Sequence, residues 1–586
     1  MYRESSTTCL ERKIWCEHGI FLAAFIPVAA LLFWKCRFGF ADNDEAFYLA
    51  IPFRLCQGDS LFVEEWHLSQ MSGALLYPFV WLYASLNKSL DGIILAARYL
   101  YTVLQCFVGL FLYIRLRKIN WCAAVVATIS FTLYVPFGIM ALSYNSMGLM
   151  WVMLGLVILF TAGEATADYF FAGVFFAFAV LCCPFILLEY LVYGLVVCAN
   201  SLSGRKMFSD SCFRTQNFLY VTLGAAVIAV VFLGFALSRT SVDKMVQAIP
   251  AMLQDPSHPL EFVEKIPQYF ESILRPREAG RLVKKALQAS YLALAGLFLL
   301  CLCDKRRKTR KTVYFLGAAT VTLLIMALHS RFAFLNLIMW PVNTIAPFVA
   351  LLSSDEKIRR VFRLIWLPGI LYSFCIHLGS NQTYYAITSA GTVATVGSIV
   401  ILILFAAEAR ERRGTTHPFW RSPICLVTAL MLLVLLSSET YLRYKHIFWD
   451  TDVETQIYLI EEGIESGLYV SEEKYRLYNN AMEDLNILKK YEPEKVLYLS
   501  SRTWLYLSQD YELASYSAWT PGSNEKTIDR LKLYYSQNPH KLPDTVYVER
   551  GNEENAERFC REFDYVEDKY DRCLILIPNT DKHLST

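Results

Sequence analysis

Charged residues are scarce in this chain. Only 18% of its 586 residues are Asp, Glu, Lys or Arg, and 55 basic residues nearly balance 53 acidic ones, leaving a net charge of +2. Such a chain has no global positive field of the kind that holds a polyanion. We therefore exclude nucleic acid as a partner.

The sequence also lacks a metal-binding or disulfide pattern among its cysteines. There are 16 of them, but they form neither a zinc spacing nor a disulfide framework. Many lie inside apolar runs, where a thiol behaves as a small hydrophobic side chain. We expect no cysteine metal ligand.

Apolar residues are abundant instead, at 55% of the chain with a mean hydropathy of +0.35. A helix of about 20 apolar residues crosses the hydrocarbon core of a bilayer, because lipid offers no partner to an unpaired backbone amide. About thirteen segments have this character. They lie near 19–36, 93–114, 120–139, 146–163, 168–184, 185–200, 217–237, 287–303, 312–329, 333–352, 363–379, 385–407 and 422–438. The sequence thus predicts a polytopic α-helical membrane protein.

Basic clusters predict the orientation of these spans, since Lys and Arg in short loops stay on the cytoplasmic side. The clusters fall on one side if the apolar segment Gly73 to Leu86 does not cross, and its short length already favours an interfacial or re-entrant helix. We predict a cytoplasmic N-terminus in the cell membrane, with the loops 37–92 and 238–286 outside. Residues 1–440 would form the transmembrane domain, and 441–586 an extracytoplasmic domain.

The C-terminal segment alternates strand-like and helical runs. Strands are predicted at Val496 to Ser500, Thr545 to Val548 and Cys573 to Ile577, and a helix at Tyr475 to Lys490. This alternation predicts a small α/β domain. Because no Gly-rich phosphate loop follows any strand, we favour an accessory or acceptor-binding role over a second catalytic centre.

The first exterior loop carries the densest group of acids, with Asp42, Asp44 and Glu45 directly after a span. Grouped acids at a low-dielectric boundary repel one another and raise the proton affinity of one of them, which is how a general base or a metal site is made. Phe47, Ile51 and Leu55 recur at helical spacing, which predicts a helix lying in the membrane interface. The alternative is an ordinary solvated acidic loop.

The order of motifs in this loop resembles the GT-C superfamily of membrane glycosyltransferases. It is most similar to the branch with protein O-mannosyltransferases and lipid A aminoarabinose transferases. The resemblance rests on an Asp-Glu-x-x-Tyr motif, an Ile-Pro-x-Arg-like helix, Gly-Asp, a short non-spanning helix and an Arg near the start of the second span. In this sequence those are Asp44, Glu45 and Tyr48; Ile51, Pro52 and Arg54; Gly58 and Asp59; and Arg98.

The resemblance implies that Asp44 is the catalytic carboxylate, with Glu45 beside it, and that Arg98 lies by a donor phosphate. Two departures matter. A Lys-Pro-Pro motif is replaced by Trp66 to Gln70, so His67 or another arginine would have to contact the phosphate. An aspartate often found in the second exterior turn is also absent, since Asn145 lies in this turn. This loss leaves a divalent cation open but not demanded, and we predict no metal ligands.

Four further residues are candidates for the outer surface. Arg331 lies where the ninth span meets the exterior, and either binds a lipid phosphate through its guanidinium fork or extends to headgroups. Glu189 lies inside the outer end of the sixth span, where it lines a cavity or pairs with an arginine. Tyr48 and Gln70 complete the candidates in the first loop.

These expectations together describe an inverting glycosyltransferase, a hexosyl- or pentosyltransferase. It would move a sugar from a polyprenyl-phosphate donor to an extracytoplasmic hydroxyl on a cell-envelope glycan, a lipid or a protein. The partners would be that donor, the acceptor and membrane lipids. Two alternatives stay open: a transporter or flippase of lipid-linked glycans, and a non-catalytic membrane scaffold.

Overall fold

The computed structural model describes residues 2–203, 208–253, 262–274, 281–303, 317, 320–321, 337–380, 387, 390–411, 422–519 and 526–579. Helices dominate up to residue 445, as expected where lipid forces every backbone group to pair within its own segment. The helices of this part are α1 (Tyr2–Lys35), α2 (Asp42–Cys56), α3 (Gln70–Asn87), α4 (Ile93–Leu116), α5 (Trp121–Leu133), α6 (Tyr144–Thr161), α7 (Thr166–Cys182), α8 (Leu187–Leu202), α9 (Thr215–Leu237), α10 (Val242–Leu253), α11 (Phe262–Leu274), α12 (Arg281–Cys303), α13 (Trp340–Leu352), α14 (Glu356–Val361), α15 (Leu367–Leu378), α16 (Thr392–Glu411) and α17 (Pro423–Lys445).

Eight helical segments among the described residues are long and apolar enough to cross a membrane. They are Ile14–Lys35, Ile93–Leu116, Tyr144–Thr161, Pro184–Leu202, Thr215–Leu237, Glu356–Leu378, Thr392–Glu411 and Pro423–Lys445. Helices α5, α7 and α13 are apolar but shorter. The predicted polytopic helical membrane protein is therefore confirmed. The number of spans and their orientation stay predictions, because the segment near 312–329 lies almost wholly outside the described residues.

The C-terminal region is the predicted α/β unit. It contains helices α18 (Glu472–Leu488), α19 (Thr527–Gln537) and α20 (Glu553–Phe563), and strands β1 (Tyr458–Leu459), β2 (Tyr469–Val470), β3 (Lys495–Leu499), β4 (Glu512–Leu513), β5 (Thr545–Glu549), β6 (Tyr565–Lys569) and β7 (Cys573–Pro578). Strands β1 and β2 form a hairpin, and the other five form one sheet in the order β4-β3-β5-β7-β6. The pairs β3–β4 and β3–β5 are parallel, whereas β7 is antiparallel to β5 and to β6. All three predicted strands are present.

Helix α2 differs from the expected interfacial helix because protein covers it on nearly every side. Phe47, Ile51 and Leu55 are buried, but Leu49 and Phe53, on the opposite face of the helix, are buried too. On one side α3 approaches so closely that a Cβ at Gly73 would lie 2.5 Å from the Ile51 side chain. On the other side the C-terminal domain packs against α2 through a 3-10 helix, Thr503–Leu507. The sequence could not predict this cover, since it comes from residues more than 400 positions away.

Candidate active site

The Asp-Glu pair lies in the first turn of α2, which begins at Asp42. Carboxylates in a first turn are favoured by the partial positive charge of the helix N-terminus. Because consecutive residues of a helix point about 100° apart, Asp44 and Glu45 face different neighbours. Asp44 is half-buried and lies on the side of two tyrosines, whereas Glu45 is buried and faces α4.

Glu45 forms a two-pronged ion pair with Arg98. The Arg98 Nε donates to Glu45 Oε1 at 2.5 Å, and Nη2 donates to Oε2 at 2.6 Å. The remaining donors reach backbone carbonyls of the turn between α1 and α2, with Nη1 bonded to Cys36 at 2.8 Å and to Phe38 at 3.2 Å, and Nη2 to Gly39 at 2.8 Å. All five N–H groups of this guanidinium are therefore directed at protein acceptors.

This geometry gives Arg98 and Glu45 a positioning role. Both side chains are almost fully buried, at 5% and 1% exposure, so the pair fixes where α2 begins relative to α4. The predicted contact between Arg98 and a donor phosphate stays a prediction, and it would require at least one of these bonds to break. The predicted catalytic role of Glu45 likewise stays a prediction.

Two tyrosines form the surroundings of Asp44. The rings of Tyr48 and Tyr144 meet edge to face with centroids 5.7 Å apart. Burial, followed by the negative charge of Asp44, raises the pKa of Tyr48 well above its usual value. Its hydroxyl bonds to Ser143 and stays protonated. Asn145 is buried next to this pair and hydrogen-bonds to Tyr144. Tyr48 and Asn145 therefore belong to the same cluster as Asp44.

His67 and Gln70 make contacts within the first exterior loop. The His67 ring packs edge-on against Phe47, with centroids 4.6 Å apart, and its Nδ1 lies 2.7 Å from the Ser69 hydroxyl. Gln70 accepts a hydrogen bond from the Phe62 amide at 2.5 Å. These contacts shape the loop, and a phosphate contact by His67 stays a prediction.

The remaining predicted residues are placed less completely. Glu189 is buried in the first turn of α8 near Tyr372 and Cys375, and both its oxygens are without a hydrogen-bond partner among the described residues. Asp42 starts α2, but its side chain lies outside the described residues, as does the whole of Arg331.

Sequence reasoning missed a buried ionic cluster that joins the first loop to the C-terminal domain. Arg54 pairs with Asp59 at 2.7 Å and with Glu65 at 2.8 Å. Lys541 of the C-terminal domain also pairs with Asp59, and with Glu512 at 2.7 Å. Arg54 and Asp59 were part of the motif, but nothing in the sequence indicated that Asp59 would pair with a lysine 482 positions further along the chain.

A second contact with that domain lies beside the candidate base itself. The Thr503 hydroxyl donates to the carbonyl oxygen of Asn43, the residue before Asp44. Arg502, the preceding residue, pairs through Nη2 with Glu549 Oε1 at 3.0 Å at the end of β5. The C-terminal domain thus reaches the N-terminus of α2.

A cationic pocket lies next to the Arg98–Glu45 pair, which forms part of its lining. Besides that pair, its lining includes Lys35 at the end of α1, Arg443 in the last turn of α17, and His446 just beyond it. Nothing in the sequence distinguishes these residues, because a basic residue at the end of a span is normally a boundary signal. The described residues contain no group of three or more His, Cys, Asp or Glu side chains placed to hold a metal ion.

Comparison with known proteins gives similar folds but no similar sequence. No family model matches the chain, and no curated protein matches it. Archaeal oligosaccharyltransferase AglB from Archaeoglobus fulgidus, solved with an inhibitory peptide and a dolichol-phosphate, is similar at a TM-score of 0.49 and 11% identity, over 91% of this chain and 70% of AglB. ArnT from Cupriavidus metallidurans, bound to undecaprenyl phosphate, is similar at a TM-score of 0.44 and 11% identity, over 96% of this chain and 98% of ArnT.

Identity of 11% fixes neither a donor nor an acceptor, so the reaction has to be argued from the residues of this chain.

Proposed function

We propose that this chain is an inverting glycosyltransferase that takes a sugar from a polyprenyl-phosphate donor and transfers it to an extracytoplasmic hydroxyl. The observation that carries the proposal is the environment of Asp44. Its carboxylate is half-buried in the first turn of a helix that protein holds on nearly every side, next to a protonated Tyr48. A carboxylate fixed in this way suits a general base better than a mobile acid in a solvated loop.

In the proposed reaction Asp44 accepts the proton of the acceptor hydroxyl as that oxygen attacks the anomeric carbon. The bond from the anomeric carbon to the phosphate oxygen breaks, and polyprenyl phosphate leaves with the electron pair. One displacement inverts the anomeric centre. Phosphate is already a good leaving group, so the scheme needs no metal.

The Arg98–Glu45 pair acts in this scheme without touching the substrate. It fixes the first turn of α2, and a correctly oriented base contributes to the rate through alignment with the reacting hydroxyl. Thr503 supports the same turn from the other side through the Asn43 carbonyl. We propose that the C-terminal domain holds the acceptor close to this turn, since Thr503 of this domain bonds to the residue before Asp44.

The test is the Asp44→Asn variant, purified in detergent and incubated with a panel of polyprenyl-phosphate sugars and cell-envelope acceptors. We expect release of polyprenyl phosphate to fall by about 10²- to 10⁴-fold, the usual contribution of a positioned general base. Asp91→Asn is the matched control, because Asp91 is an exposed acid of the same loop and undergoes the same change.

A folded Asp44→Asn protein that keeps wild-type release would refute the role of Asp44. A transporter or a scaffold predicts no release by the wild-type protein with any donor in the panel. The same assay therefore separates the enzyme from both alternatives.

A further inference from the structure

The pocket next to the Arg98–Glu45 pair is lined by more buried cations than buried acids. Lys35 and Arg443 both line it and are only 3% and 7% exposed. Burying an unpaired charge is costly, so side chains this deep normally have a counter-ion. Within the part of the chain that the structure describes, neither cation forms an ion pair. Lys35 Nζ donates to the Tyr444 carbonyl at 2.8 Å, and Arg443 Nε donates to the Leu133 carbonyl at 3.3 Å.

Four acids lie near these cations: Glu45, Glu439, Asp452 and Glu454. Glu45 is held by Arg98, and Glu439 accepts a hydrogen bond from the Ser130 hydroxyl at 2.9 Å. Asp452 pairs with Lys445 at 3.2 Å at the protein surface. Asp452 and Glu454 are exposed, and among the described residues none of the four acids forms an ion pair with Lys35 or Arg443. The three buried cations Lys35, Arg98 and Arg443 therefore outnumber the two buried acids Glu45 and Glu439.

The donors that remain match an anion with several oxygens. An ammonium group has three N–H donors and a guanidinium has five. One donor of Lys35 and one of Arg443 are bonded to carbonyls in the described structure. Both side chains line the pocket. A phosphate group accepts bonds from both kinds of cation, and a guanidinium fork fits it especially well.

The geometry points to a phosphate-binding site formed by Lys35 and Arg443, with His446 on its wall, distinct from the Asp44 site. It lies where α1 and α17 both end, next to the turn between α1 and α2 whose carbonyls Arg98 binds. The ligand is a phosphate group, which can be supplied by a lipid headgroup or by free phosphate. By binding between the ends of two spans, it would fix the turn that leads into α2.

The experiment measures thermal unfolding of the full-length protein in detergent. The additions are inorganic phosphate, polyprenyl phosphate, an anionic phospholipid and, as the phosphate-free control, the polyprenol. We expect a phosphate compound to raise the melting temperature and polyprenol to leave it unchanged. A shift with inorganic phosphate assigns a free-phosphate site, whereas a shift with lipids alone assigns a headgroup site.

Variants then locate the binding. Arg443→Gln should weaken phosphate binding by about tenfold or more, as expected for loss of a charge-assisted bond. Lys35→Gln should act in the same direction, and it carries the test alone if Arg443→Gln does not fold. Arg37→Gln is the matched control, because Arg37 is an exposed neighbour bonded to the Tyr99 hydroxyl at 3.1 Å.

The competing explanation is that both cations only bind the carbonyls at the ends of helices. In that case the variants lower the melting temperature by the same amount with and without phosphate, and this result overturns the proposal. The absence of a shift with every phosphate compound overturns it as well. Asp44→Asn should keep the phosphate-dependent shift, so failure of this site and failure of the proposed reaction give different results.

Discussion

Replacing Arg98 with methionine tests the positioning role assigned to the ion pair with Glu45. The substitution keeps an unbranched side chain of similar length but removes five donors. It leaves Glu45, at 1% exposure, as a buried charge without its cation, and it removes the donor from three carbonyls of the turn between α1 and α2. Breaking a buried ion pair in this way costs about 3–5 kcal/mol.

The loss should appear both in stability and in activity. We expect the thermal midpoint of Arg98→Met to fall and hydrogen exchange to increase in the first turn of α2. Release of polyprenyl phosphate should fall through kcat. The single change Glu45→Gln should have the same kinds of effect, because it weakens the same pair from the other side.

The double variant Glu45→Gln with Arg98→Met gives the magnitude of the coupling. If the two side chains act as one unit, the double variant loses less stability than the sum of the single variants, by about 1–3 kcal/mol. A direct contact between Arg98 and the donor phosphate predicts a different result. Arg98→Met would then raise the KM for the donor, while Glu45→Gln would behave as wild type. That outcome would refute the positioning role.

Three further predictions follow from packing and charge. Gly224→Ala should lower the thermal midpoint, because the new Cβ would lie 2.0 Å from the Phe170 carbonyl oxygen and force α7 and α9 apart. Gly234→Ala is the control in the same helix, because its new Cβ meets nothing within 4 Å and should leave the thermal midpoint unchanged. Lys541→Met should increase hydrogen exchange at the C-terminal end of α2, because it removes a buried cation, only 2% exposed, that pairs with Asp59 and Glu512. Unchanged exchange would show that this ionic cluster does not hold the C-terminal domain against α2. Burial, followed by nearby cations, lowers the pKa of His446 to about 4 in the folded protein. When the pH falls below 6.5, the usual pKa of histidine, this side chain is therefore protonated in the unfolded chain before it is protonated in the folded one. This difference destabilises the fold by up to about 3 kcal/mol near pH 4. His446→Gln should lose less stability than wild type between pH 6.5 and pH 4 in thermal scans, and equal losses would contradict the assignment.

Local pattern was sufficient for much of the fold. The apolar segments among the described residues are helices, because lipid leaves a backbone no other way to satisfy its hydrogen bonds. The β-branched and aromatic runs of the C-terminal region became β3, β5 and β7, since their residues suit a half-buried sheet. The alternation of strands and helices also predicted the α/β class correctly.

The candidate site was predictable only in part. The acidic motif placed Asp44 and Glu45 at the start of a helix, as the structure shows. The spacing of the two acids did not indicate which of them an arginine would bind, because adjacent residues of a helix point about 100° apart and contact different neighbours. Glu45 is bonded to Arg98, and Asp44 faces the tyrosines.

Composition and local pattern were enough to predict that the chain spans a membrane, where its acids cluster and that an α/β unit follows the last span. These features depend on composition and on residues close together along the chain. Tertiary structure alone decided that the C-terminal domain covers α2, that Lys541 meets Asp59, and that Lys35 and Arg443 meet at one pocket. These contacts join residues hundreds of positions apart. Their partners are set by how the helices pack, and no local pattern records that.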